Sequence, residues 1–347
     1  MSEQSKEKNK KRRWLWQLPF LLFLILGTVY VIRQQHDAAY QHDHGFIFGT
    51  TYNITYQYDK NLQKEIEKML NKVDASLSPF NEKSIISKVN RNEDVVVDAM
   101  FAEVFKKSMQ ISDDTHGAFD ITVAPLVNAW GFGFKHDTQP TDEAIDSLLE
   151  LVGYHKVSLT SGKRVKKADA RIQLDCSAVA KGYGSDMVAR MFDKLGIMNY
   201  MVEIGGEIVT KGVSDKRLPW HIGVTVPTDD TLATSNEIQT ILNVTDIAMA
   251  TSGNYRNFYY QGNKKVAHTI DPRTGKPVQH TLLSATVLAP DCATADAYAT
   301  SFMVMGKDSA IEVLSRHKEL MAYFIYSSDS CENETWYSPN LQSKIQQ

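Results

Sequence analysis

The chain has 347 residues, 43% of them hydrophobic and 23% charged, the composition of a globular protein with a sizeable core. Its formal net charge is only -3, so no basic excess is present to neutralise phosphates, and a nucleic-acid partner is excluded. Three cysteines, Cys176, Cys292 and Cys331, none in CxxC spacing, are too few for a disulfide framework and argue against thiol chemistry.

The first element is "KEKNKKRR" running into "WLWQLPFLLFLILGTVYVI", residues 14–32. At ~1.5 Å rise per residue that span reaches across a ~30 Å hydrocarbon core, and is expected to be a transmembrane helix. Lys and Arg on its N-terminal side predict a cytoplasmic N-terminus, residues 1–13, and a body outside the cytoplasm. The alternative is a cleavable signal peptide, but no small-x-small cleavage site follows the apolar run, so an uncleaved anchor is expected. Residues 33–45 are polar and uneven, the composition of a tether, whose three histidines read as solvated rather than metal-binding.

From Phe46, "FIFGTTYNITYQY" alternates and predicts a strand; "KNLQKEIEKMLNKVDASLS" then spaces its apolar residues as a helix. Asp98 opens a helix over 98–114, and "TDEAIDSLLELVGY" is another, with Thr141 as cap and Gly153 as stop. Between them "GAFDITVAPLVNAWGFGF" is too glycine-rich for a helix and too apolar for a tail, as expected of backbone that wraps something. Further strands are expected at 155–160, 170–174, 200–204, 220–226, 239–250, 255–260, 264–270, 282–289 and 320–326, and helices at 178–195, 293–304 and 307–317. Short connections such as "YYQGNKKVA" favour antiparallel pairing. The expected class is mixed α+β: largely antiparallel sheets with packed helices, plus the N-terminal transmembrane helix.

Four stretches carry residue types suited to chemistry. In "LDCSAVAKGYGSD" a strand delivers Asp175, Ser177 can cap the next helix, and Lys181, Gly182 and Gly184 occupy its first turns. Helix N-termini favour anions, so this is a candidate phosphate pocket; packing glycines are the alternative, and neither a Walker loop nor GxGxxG is present. "MVEIGGEIVTKG" reads as a hairpin turning at Gly205 and Gly206, whose amides can also meet a ligand. In "AHTIDPRTGKPV" His268 enters a turn built from Asp271, Pro272, Thr274 and Gly275, and its unperturbed pKa of ~6.5 suits proton abstraction near neutrality. In "DCATADAYAT" Asp291 is a cap, while Asp296 and Thr300, four apart, share one helix face. Carboxylate plus hydroxyl suits Mg²⁺, although an ordinary capping pair has the same spacing.

Taken together, these stretches resemble the ApbE family, the FAD:protein FMN transferases. The matching elements run in order over about residues 46–326: "FGTTYNITY", "LSPFNEKSIISKVN", "GAFDITVAPLVNAWGFG", "LDCSAVAKGYGSD", "VEIGGEIVTKG", "ATSGNYRNF", "HTIDPRTGKP" and "ATADAYAT". The resemblance implies an ApbE-like, T-fold-like domain over 46–330, followed by a tail over 331–347. It implies an extracytoplasmic, Mg²⁺-dependent enzyme that transfers the FMN half of FAD to a threonine or serine hydroxyl of another protein, releasing AMP. Mg²⁺ is then held by the Ala178 carbonyl, Asp296 and Thr300. FAD lies against Phe48, Phe80, Asn81, Glu82, Ala118, Phe119, Asp120, Asp175, Lys181, His268 and Ile270. His268 is the candidate base, with Asp175 and Asp271 as competitors. The implied acceptors are flavoprotein subunits of membrane electron-transfer complexes of the NADH:quinone reductase or Rnf type, and the implied place is the outer side of the cytoplasmic (inner) membrane. Two other readings share the pocket: an FAD pyrophosphatase giving FMN and AMP, and a non-catalytic, membrane-anchored FAD-binding protein. Two departures stand out: Phe48 where many similar proteins carry methionine, and no lipid-bearing cysteine after the apolar run.

Overall fold

The computed structural model of the chain describes residues 17–31, 38–133, 140–227, 237–254, 258–261, 264–328 and 333–346. In it the alternating run around Phe46 is a hairpin, β1 (Tyr40–Ile47) and β2 (Thr50–Gln57), turning at Phe48 and Gly49. Residues 40–45, expected as tether, therefore belong to the domain. Their polarity is that of an edge strand, and its one buried acid, Asp43, accepts hydrogen bonds from Tyr56 Oη (2.7 Å) and Asn61 Nδ2 (2.6 Å).

The hairpin opens an eight-stranded sheet, antiparallel at every junction, in the order β1-β2-β5-β6-β9-β12-β13-β14. β5 (Tyr200–Ile204) and β6 (Glu207–Lys211) form the expected Gly205–Gly206 hairpin. The 239–250 run divides into β8 (Ile238–Val244) and β9 (Ile247–Gly253), because Asp246 turns the chain with φ 55° and apolar continuity hides that turn. β12 (Leu282–Ala289) and β13 (Met321–Ser327) follow the expected spans. The segment expected as a tail instead contributes β14 (Asn333–Tyr337) and a 3-10 turn, Pro339–Lys344, that buries Leu341 completely.

β12 reads as an unbroken apolar run because both its faces are covered. Ala285, Val287 and Ala289 face helices α7 (Ser177–Lys194) and α8 (Cys292–Met305), while Leu288 packs with Trp220 and Leu242 of the second layer, the hairpin of β7 (Trp220–Thr225) and β8. Outside α7 and α8 lie α2 (Gln63–Leu77), α3 (Ile85–Asn90), α4 (Ala99–Asp114) and α9 (Lys307–Arg316). α8 is buried on all sides, which accounts for its alanines: Ala293, Ala295, Ala297 and Ala299 have no exposed surface. The remaining elements are α5 (Ala124–Ala129), α6 (Asp142–Leu149), and the hairpins β3 (Val157–Leu159) with β4 (Val165–Lys167) and β10 (Phe258–Gln261) with β11 (Lys264–Ala267). The caps behave as expected: Asp98, Thr141 and Asp291 accept from Phe101 N, Ala144 N and Thr294 N.

Residues 17–31 form helix α1, whose apolar side chains are exposed, Phe20 at 65% and Phe23 at 73%. Among the described residues no helix is long and apolar enough to cross a membrane; residues 14–16 and 32 of the expected span lie outside them.

α8 is braced from outside by Tyr298 Oη, which donates to Asp114 Oδ2 (2.9 Å), while His317 Nε2 lies 3.1 Å from Asp114 Oδ1 and His317 Nδ1 lies 2.8 Å from Glu319. Burial opposes charge on His317, but Glu319 and Asp114 outweigh it and raise its pKa. A raised folded-state pKa stabilises the protein below the unfolded value of ~6.5, a contribution lost as pH rises through the folded value. His317→Ala is expected to cost about 0.5 kcal/mol at pH 6, kept small by solvent screening, and close to nothing at pH 9. Urea unfolding at the two pH values checks this, and an equal cost at both would contradict it.

Candidate functional site

A cleft of about 1300 Å³ lies between the start of α7, the β1–β2 and β5–β6 turns, α8 and the 117–133 segment. It exceeds the ~300–1,000 Å³ of most small-molecule sites, so it suits a long ligand with two ends.

One wall is the glycine-rich segment. After α4 the chain turns at His116 (φ 49°) and Gly117 (φ 77°), and Ala118, Phe119 and Asp120 then run along the cleft, followed by Val123, Val127 and Phe132. The segment does wrap a cavity, but it also contains α5, started by a proline in its first turn. Asp120 is held as a loop lock: Oδ1 accepts from Thr122 N (2.8 Å) and Oγ1 (2.6 Å), and Oδ2 from Tyr154 N (2.6 Å). Burial nevertheless raises its pKa against those bonds.

A second wall carries Asp175. No strand forms at 170–174; Asn90 substitutes for a ladder, accepting from Leu174 N (2.7 Å) and donating to Leu174 O (2.9 Å), while Asp175 N donates to Ile121 O (2.7 Å). Ser177 is the first residue of α7 and does not cap it; Asp175, two residues earlier, accepts at Oδ1 from Ser177 N (2.7 Å) and Oγ (2.5 Å). Phe48 stands at φ 51° in the β1–β2 turn, a left-handed conformation costing a non-glycine residue ~1–2 kcal/mol. A Cβ at Gly184 would lie 2.7 Å from the Phe48 ring, so the glycine makes room for the aromatic. Gly182 has the same role toward α8, since its Cβ would lie 2.4 Å from Cys292 O. Both glycines of the candidate phosphate pocket therefore serve packing.

The charged centre joins α7, β6 and α8. Lys181 Nζ lies 2.6 Å from Glu207 Oε1 and 3.8 Å from Asp296 Oδ1, and Gly182 N donates to Asp296 Oδ2 (3.1 Å). Glu207 and Asp296 are only 3% and 2% exposed. Burial pushes Glu207 up to about 8, Lys181 opposing and Asp296 reinforcing. Burial raises Asp296 too, against the pull of Lys181 and the Gly182 amide. Burial also works against the Lys181 charge, but Asp296 and Glu207 outweigh it and hold the lysine above its ordinary value. Both buried carboxyls thus resist ionisation with a single ammonium beside them, the mark of a pocket short of positive charge.

A divalent cation fits that deficit. Asp296 presents a carboxylate, Thr300 a hydroxyl 3.1 Å from Ser252 Oγ, and helix periodicity aims the Gly182 amide that meets Asp296 at the Ala178 carbonyl, bringing both oxygens around one N–H. Among the described residues no cluster of three or more His, Cys, Asp or Glu is placed to hold a metal; hard oxygens such as these could hold Mg²⁺, which takes few protein ligands. Cys176 and Cys292 are buried free thiols whose pKa values burial raises; Cys331 lies outside the described residues.

The third wall follows β11. His268 and Ile270 line the cleft, with the His268 ring edge-on to Phe132 at 6.3 Å between centroids. Asp271 does not line it; its carboxylate binds Arg273 through Nε and Nη2, both at 2.9 Å. Of the three base candidates His268 and Asp175 line the cleft, the latter with Oδ1 engaged by Ser177, and Asp271 does not. Phe80 and Asn81 also line the cleft, Phe80 being 65% exposed. Glu82 is the exception among the expected residues: it is exposed and outside the lining, and its carbonyl accepts from Arg91 Nη1 (2.9 Å). The cleft thus gathers Phe48, Phe80, Asn81, Ala118, Phe119, Asp120, Asp175, Ala178, Lys181, His268, Ile270, Asp296 and Thr300. Sequence reasoning passed over Glu207, whose signal was an acid set directly after "GG" at the start of an apolar strand, and Glu203, whose Oε1 accepts from Gly206 N (2.7 Å).

Comparison with known proteins bears on this cleft. Residues 48–324 match the model of the ApbE family. The FAD:protein FMN transferase of Haemophilus influenzae is 38% identical over 331 residues, covering 88% of this chain and 94% of the relative. That of Escherichia coli K12 is 34% identical over 291 residues, 81% of each chain. Among solved structures, the flavin transferase ApbE of Vibrio cholerae superposes with a TM-score of 0.79 at 34% identity, over 88% of this chain and 99% of that one. The apo form of Pseudomonas stutzeri flavinyl transferase ApbE gives 0.78 at 28% identity, over 88% and 96%.

Proposed function

The chain belongs to the ApbE family, and from that premise we propose that its cleft binds FAD and Mg²⁺ and passes the FMN half of FAD to a threonine or serine hydroxyl of a target protein, releasing AMP. Transfer of FMN from FAD to a protein is its activity. The observation that carries the proposal is the Lys181 ammonium, half-buried, set against the buried carboxyls of Glu207 and Asp296 in the wall of a cleft long enough for a dinucleotide.

Asp296, Thr300 and the Ala178 carbonyl would hold Mg²⁺, which when bound supplies charge neutralisation at the phosphoryl oxygens and at the departing AMP. Lys181 offers a second positive charge from the α7 start, oriented before substrate arrives. Phe48, Phe119 and Ile270 supply apolar surface for the flavin and adenine ends. His268 accepts the proton of the incoming hydroxyl at a ring nitrogen; that oxygen bonds to the FMN phosphorus, and the pyrophosphate bond to AMP breaks.

The acceptors are proposed to be flavoprotein subunits of membrane electron-transfer complexes, reached from the outer side of the cytoplasmic membrane. An N-terminal anchor over residues 14–32 is part of the same proposal, supported by the apolar length of that run, the Lys and Arg before it and the exposed apolar side chains of α1.

The test is to incubate the full chain with FAD, Mg²⁺ and a candidate acceptor and to weigh the acceptor. Added FMN mass supports transfer, free FMN and AMP alone would mean a pyrophosphatase, and no turnover a binding module. His268→Ala is expected to slow transfer by about 10²–10⁴-fold, the span of general-base effects. Full activity in that variant from pH 6 to pH 8 would remove His268 from the reaction.

A further inference from the structure

Glu207 is buried yet incompletely used. Oε1 accepts from Lys181 Nζ, whereas Oε2, equally buried, has no hydrogen-bond partner. Its backbone is fixed twice, by the hairpin turn before it and by Ser185 Oγ, which donates to Glu207 O (3.0 Å). The carboxylate thus hangs from a fixed backbone in a buried position, while the lysine it meets is a compact charge on a flexible four-carbon stem. That stem gives Lys181 two buried anions to choose between, and the observed distances show it on Glu207. The Asp296 oxygen facing the lysine is Oδ1, since Oδ2 takes the Gly182 amide.

We propose that Glu207 is a positioning residue that holds the Lys181 ammonium off Asp296, leaving that carboxylate for a divalent cation and directing the lysine at the pyrophosphate. The inference rests on the Mg²⁺ reading above. Without Glu207 the only buried anion within reach of Lys181 among the described pairings is Asp296, and a direct ion pair there would neutralise the metal-binding carboxylate. Glu207 acts through the lysine, so its effect on cation binding should vanish when the lysine is removed.

The experiment is Mn²⁺ binding to the full chain without FAD, read from the electron paramagnetic resonance signal of free Mn²⁺. Glu207→Ala is expected to weaken Mn²⁺ affinity by about 10-fold or more, the scale of lost outer-shell partners, and Glu207→Gln by less. Adding Lys181→Met to either variant is expected to restore affinity, which a merely structural defect would not allow. Should Glu207→Ala not fold, the isosteric Glu207→Gln carries the test. Unchanged affinity in both single variants, or a loss that Lys181→Met leaves in place, overturns the proposal. Equal binding by the unsubstituted chain and Asp296→Ala is a separate outcome: it removes the metal reading and this inference with it.

Discussion

Asp296→Ala is expected to lower FMN transfer by at least ~10³-fold, about 4 kcal/mol of transition-state stabilisation, while FAD binding measured without Mg²⁺ stays nearly intact. The split follows from what Asp296 touches. Its oxygens meet the Gly182 amide and face Lys181, and the apolar walls at Phe48, Phe119 and Ile270, proposed to take the flavin and adenine, do not depend on it. Stability should not fall with activity. Removing one of two buried carboxylates leaves Lys181 and Glu207 as a balanced pair and relieves the burial that raises the Asp296 pKa. Mass analysis of the acceptor, flavin fluorescence titration and a melting curve together check the prediction. Transfer within tenfold of the unsubstituted protein would remove Asp296 from the chemistry.

The second large effect is on folding. Gly182→Ala places a methyl group 2.4 Å from Cys292 O, 2.7 Å from Cys292 C and 2.9 Å from Ala293 N. All three are backbone atoms at the start of α8, which Asp186 also grips through Cys292 N (2.7 Å) and Ala293 N (2.9 Å). Nothing there yields by rotating a side chain, so α7 and α8 must part, at a cost of about 3 kcal/mol or more. For a domain of this size that is a fall in melting temperature of roughly 5 °C or more. Gly184→Ala is the control, because its methyl meets the movable Phe48 ring; it should cost less stability and alter flavin binding instead. If the two variants melt together, the close helix crossing is not what Gly182 provides.

The limits of sequence reading follow from the same contacts. Elements with a strong internal period or a cap were legible: β5, β12, α7, α8 and the Gly205–Gly206 hairpin fall where pattern and turn chemistry put them. Asp246 hid a strand break inside an apolar run, and the polar edge of β1 looked like a tether, because a strand with one solvated face need not look apolar. Residues 331–347 looked like a tail, since the burial of Leu341 depends on a layer assembled from residues far away in the chain. Glu82 shows the opposite error: its neighbours Phe80 and Asn81 reach the cleft, and it points out to solvent.

Composition, charge and the ordered motifs determined the mixed α+β class, the family and most of the residues that line the cleft, since these depend on local periodicity and on which side chains can bind phosphate and cation. Only the tertiary structure decided what each residue does there. It set Gly182 and Gly184 to packing, Asp175 to holding the first residue of α7, and Asp271 to holding Arg273. It also brought Glu207 from β6 to within 2.6 Å of Lys181 and set Asp296 opposite. Partners so far apart in sequence leave no spacing to read; the crossing of α7, α8 and the sheet creates them.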